Sequence, residues 1–166
     1  PKQIPKNGIF YNISAWRIFW KIVNGFSEDF KKDITELNIN IENAINLRGN
    51  HSDYALKAMN ELIFLSRDCK IALADAEKAL SLGTDSEIYT IAGSVNSGCG
   101  NLDKGINLNK KALRLTPNDN GWLITNNIVV DLYQLMQRII QRERILLKVI
   151  YLIWQLDTDQ RGSLSR

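Results

Sequence analysis

The residues best able to do chemistry in this chain are few and far apart. His51 is the one histidine, so no histidine metal cluster can be built and no triad partner stands near it. Cys69 and Cys99 match no metal or redox spacing. Cys99, inside "SGCGN", lacks the cationic surroundings or neighbouring histidine that activate a thiol. Both cysteines are read as buried small hydrophobes in a reducing compartment rather than as a disulfide. Gly93, Gly98, Gly100 and Gly105 lie on helical spacing or in a helix–helix turn, without the strand that a phosphate loop follows. The acidic pairs Glu28–Asp29 and Asp157–Asp159 fall in turns, where carboxylates cap helices. No catalytic, cofactor-binding or metal-binding set is assigned, and the chain is expected not to be an enzyme.

Composition narrows the class further. With 45% hydrophobic and 23% charged residues, the 166-residue chain resembles an ordinary globular domain or a short repeat array. A net charge of +3, with cations and acids interleaved as in "SEDFKKDITE", excludes nucleic acid as the expected partner. The start "PKQIPKNGIF" has no apolar signal region. The apolar run Ile145 to Leu156 is broken by Lys148 and Gln155 and is too short to span a membrane. A cytoplasmic protein is expected, and the start at Pro1 suggests a fragment of a longer one.

The elements that must position any functional residue come from a repeat. "AINLRGNHSDY" (44–54), "ALSLGTDSEIY" (79–89) and "ALRLTPNDNGW" (112–122) share Ala, an aliphatic residue, any residue, Leu, and then an aromatic after six intervening residues. The offsets are 35 and 33 residues. Each phrase reads as a helix end, a stop with capping residues, and the aromatic first turn of the next helix. Second breaks at 66–68 and 97–101 divide each unit into helix, tight turn, helix. Strand signals are nearly absent.

A period of about 34 with this anatomy resembles the tetratricopeptide repeat. The stretch 86–119 carries the likeness through Tyr89, Ala92, Gly93, Gly100, Leu102, Ala112 and Pro117, and departs from it at Asn96, Gly105 and Asn109. The preceding unit keeps Ala58, Ala72, Ala76 and Ala79. The N-terminal unit also looks like the first unit of tetratricopeptide regions attached to class III adenylate cyclases and related bacterial signalling proteins. The resemblance implies an all-α, right-handed solenoid of about four helix-turn-helix pairs. Its single domain covers 1–157, with units near 14–50, 51–85, 86–119 and 120–157 and a frayed tail over 158–166.

It also implies a function. The expected role is a non-catalytic scaffold that binds a peptide or partner domain in a helical groove. The alternative is a regulatory C-terminal appendage of a multidomain signalling enzyme of nucleotide cyclase type. First helices line the groove in such arrays, which selects Met59 and Leu62, then Thr90, Ser94 and Ser97, then Leu123, Asn127 and Val130 as partner-binding residues. In the last helix the polar residues Arg144, Lys148, Tyr151 and Gln155 form one narrow stripe and the rest is apolar. Ile150, Ile153 and Trp154 are therefore expected at an interface with a second copy, giving a homodimer, or with another domain.

Overall fold

A computed structural model describes residues 7–117, 136 and 138–151. The chain is all-α, with no strand among the described residues. The helices are α1 (Gly8–Val23), α2 (Phe30–Leu47), α3 (His51–Ile63), α4 (Cys69–Leu82), α5 (Ser86–Gly98) and α6 (Leu102–Leu115). They belong to a first compact unit, residues 1–127; a helix over 138–151 belongs to a second, residues 128–166.

Short polar side chains start these helices by accepting hydrogen bonds from first-turn amides that have no partner within the helix. Asn7 caps α1, Asp29 α2, Asn50 α3, Asp68 α4 and Asp85 α5. The start of α1 at Gly8 precedes the expected start at 14. Gly8 lies so close to α2 that a side chain there would come within 2.7 Å of Arg48 Cβ, so the first turn tucks against the end of the next helix. Gly49, at φ +60, ends α2 by donating its N–H to the Ala44 carbonyl at 3.2 Å, a left-handed turn that glycine adopts without cost.

Consecutive helices pack as the hairpins α1–α2, α3–α4 and α5–α6. The pairs then meet in chain order: α3 touches α1 and α2, α5 touches α3 and α4, and no contact joins the first pair to the third among these elements. Alanines permit this closeness. Ala72, Ala76 and Ala79 run along one face of α4 at i, i+4 and i+7 and are all buried. Around them stand the large core residues Phe19, Leu37, Ile41, Leu56, Ile88, Ile91 and Val95. The period shows in side chains too. Lys78 Nζ sits 6.0 Å from the centre of the Tyr54 ring and Lys111 Nζ 5.6 Å from that of Tyr89, at matching places in the second and third pairs.

Each turn inside a pair is clamped by a different device. Asp33 accepts from Lys21 Nζ (3.1 Å) and Ser27 Oγ (2.6 Å), holding the turn between α1 and α2. Glu61 accepts from Ser66 Oγ and from the Asp68 N–H in the turn between α3 and α4. Beside the turn between α5 and α6, Cys99 is bonded to Cys69 at the start of α4, with Cα atoms 5.5 Å apart, a separation suited to a disulfide. This corrects the reading of two free thiols. The cysteines flank the intra-pair turns of neighbouring units, and stacking brings those turns to one edge.

Candidate partner-binding surface

Stacking sets α3 and α5, the first helices of the second and third pairs, side by side. Met59 on α3 is buried in the core, as is the preceding Ala55. Thr90 on α5 is fully buried and its Oγ1 donates to the Ser86 carbonyl at 2.8 Å. Ser94 Oγ donates to the Thr90 carbonyl at 3.0 Å, and Ser97 is buried. The Thr90 and Ser94 hydroxyls bond carbonyls of their own helix, as serine and threonine within helices commonly do, whereas the Ser97 Oγ has no hydrogen-bond partner among the described residues. Leu62 and Ser94 are half-buried and retain accessible surface. Leu62 lies against Gly98, where an added Cβ would come within 2.9 Å of its Cδ2. Leu123, Asn127, Val130, Ile153 and Trp154 lie outside the described residues. Ile150 is exposed on the C-terminal helix.

Behind this surface α5 and α6 approach more closely than two alanine-faced helices could. An added Cβ at Gly105 would lie 2.0 Å from Ser97 Oγ and 2.8 Å from the Gly93 carbonyl oxygen. At Gly93 it would lie 2.6 Å from Asn109 Oδ1. Asn109 is buried here, and among the described residues it has no hydrogen-bond partner for either amide atom. Gly93, Ser97, Gly105 and Asn109 therefore meet in one contact. Gly105 stands where the backbones nearly touch.

No protein-family model, curated protein or solved structure matches the chain. The site must therefore be judged on its own chemistry.

His51 opens α3, its Nε2 3.3 Å from Asp85 Oδ2, with its ring against Gly83. Glu87 is near this pair; burial pushes its carboxyl above the usual range, Asp85 adds to the rise, and His51 opposes it. The His51–Asp85 contact fastens one pair to the next across the 83–85 connection. No set of three metal-ligating side chains occurs among the described residues. Asp29 caps α2 through the Lys32 N–H at 3.0 Å, the role expected for it, while Asp157 and Asp159 lie outside the described residues. Sequence reasoning missed the disulfide, although a legible signal existed: two cysteines about one repeat apart, each beside an intra-pair turn.

Proposed function

We propose that this chain is a non-catalytic interaction module, a tetratricopeptide-like right-handed solenoid that docks a peptide or partner domain along α3 and α5. The observation that carries this reading is the order of contacts. Helix pairs one repeat apart touch only their neighbours, and the same ring–cation contact recurs within the second pair (Tyr54–Lys78) and within the third (Tyr89–Lys111). An array of this kind presents its first helices as a continuous preformed face, suited to helical or extended segments. Leu62 and Ser94 are the accessible anchors of that face, and Met59, Thr90 and Ser97 support them from beneath. The Cys69–Cys99 bond supports work in an oxidising compartment.

Affinity capture with the purified chain, beside its Leu62→Arg variant, tests the proposal. A partner retained by the natural chain and lost with the variant, while both melt alike, is the expected result. Identical retained sets, or none from either, would overturn it.

A further inference from the structure

The C-terminal helix has a surface that docking on α3 and α5 does not use. Every described residue from 138 to 151 is exposed. The apolar ones, Ile139, Ile140, Ile145, Leu146, Leu147, Val149, Ile150 and Tyr151, are each 45–64% exposed, far more than side chains of that kind in a packed helix. The charge is one-sided: Arg138, Arg142, Arg144 and Lys148 stand against the single acid Glu143.

Two features decide what covers such a helix. Ile145, Leu146 and Leu147 follow one another, so their side chains project about 100° apart, and one partner helix with its narrow seam cannot cover all three. A second copy would also set four cations against four, with one acid on each side to relieve them. A lipid surface meets neither obstacle. Its fluid chains mould around a wider apolar arc than a helix seam can, and long arginine and lysine stems reach from a half-immersed helix up to the headgroups. Three of the four cations lie in the first half of the helix, residues 138–144, and six of the eight apolar residues in the second, which suits a helix entering the interface at a slant. No helix among the described residues is long and apolar enough to cross a membrane.

We propose that the helix over residues 138–151 is an interfacial anchor that binds the surface of anionic lipid bilayers. This inference is independent of the proposed docking function; either can fail alone.

The test is co-sedimentation of the full chain with phosphatidylcholine vesicles, with and without phosphatidylglycerol. The chain pellets with the anionic vesicles, partitions about tenfold or more weakly to neutral ones, and is released as salt is raised. Arg142→Glu with Arg144→Glu reduces anionic partitioning by about tenfold or more. Leu146→Asp with Leu147→Asp abolishes it. The thermal transition of the first unit stays unchanged in both variants. Equal partitioning to the two vesicle types would overturn the proposal. So would absence from both pellets, including the case where light scattering shows a dimer that Leu147→Asp dissolves.

Discussion

Asp53 shows how much one buried charge can organise. Its side chain is fully enclosed, yet its carboxylate accepts from Asn12 Nδ2 (2.7 Å), Arg48 Nη2 (2.6 Å) and the Asn50 N–H (3.0 Å), joining α1, the end of α2 and the start of α3. Removing one member leaves the others desolvated and unpaired, so Asp53→Ala should lower stability by about 3–5 kcal/mol in a denaturant titration. Asp75 is the opposite case. Burial pushes its carboxyl up, the repulsion of Glu42 and Glu61 adds to this, and Lys57, 3.9 Å away, only partly opposes it. The folded chain therefore holds this proton more tightly than the unfolded chain, and the contribution of this group to stability falls as pH rises above 3.8, the ordinary value for aspartate. Asp75→Asn should stabilise the protein at neutral pH, and the gain should vanish below that value. Melting curves across the range check both statements. Neither residue stood out in the sequence. A buried aspartate and a surface aspartate have the same letter, and only the packing of α1 against α3 makes Asp53 a hub.

At the scale of helices, most boundaries were legible because their chemistry is local. The stop at Gly83 and the cap at Asp85 lie within a few residues of each other, and they set the end of α4 and the start of α5. The buried alanines of α2, α4 and α6 were legible too, as Ala44, Ala79 and Ala112 of the repeated phrase. What sequence did not reveal was the depth of the contact between α5 and α6. It depends on Gly93, Ser97, Gly105 and Asn109 together, and in the sequence Gly105 and Asn109 look like mere lapses from the repeat pattern. Gly105→Ala tests the contact. Alanine is better by about 1 kcal/mol as a helix former. Its methyl would still meet the Gly93 carbonyl, which belongs to the backbone and cannot swing aside. A net loss of about 1–3 kcal/mol is expected from overpacking, and shortening Ser97 to alanine should not restore it. Among the groove residues, helical spacing alone could not separate the accessible Leu62 and Ser94 from the buried Met59, Thr90 and Ser97. Spacing places a residue on a helix face, and only the next helix decides whether that face is covered.

In the first unit as a whole, stability rests on contacts between neighbours and on one covalent link across them. The Cys69–Cys99 bond spans a sequence separation of 30 and ties the second pair to the third. In the chain-entropy view such a link adds about 3–4 kcal/mol by restricting the unfolded chain. Cys99→Ser, or reduction, should lower the melting temperature, and the first pair should keep more of its hydrogen-exchange protection than α5 and α6 do.

That bond also fixes how the molecule responds to being pulled. A tension applied at the two chain ends passes through the sulfur bridge, so the segment between Cys69 and Cys99 is shielded from the load and cannot be paid out. In an optical trap the oxidised chain should unravel to a contour shorter by about 100 Å than the reduced chain, at roughly 3.5 Å for each residue held back. Adding reductant under constant force should release that hidden length in one step.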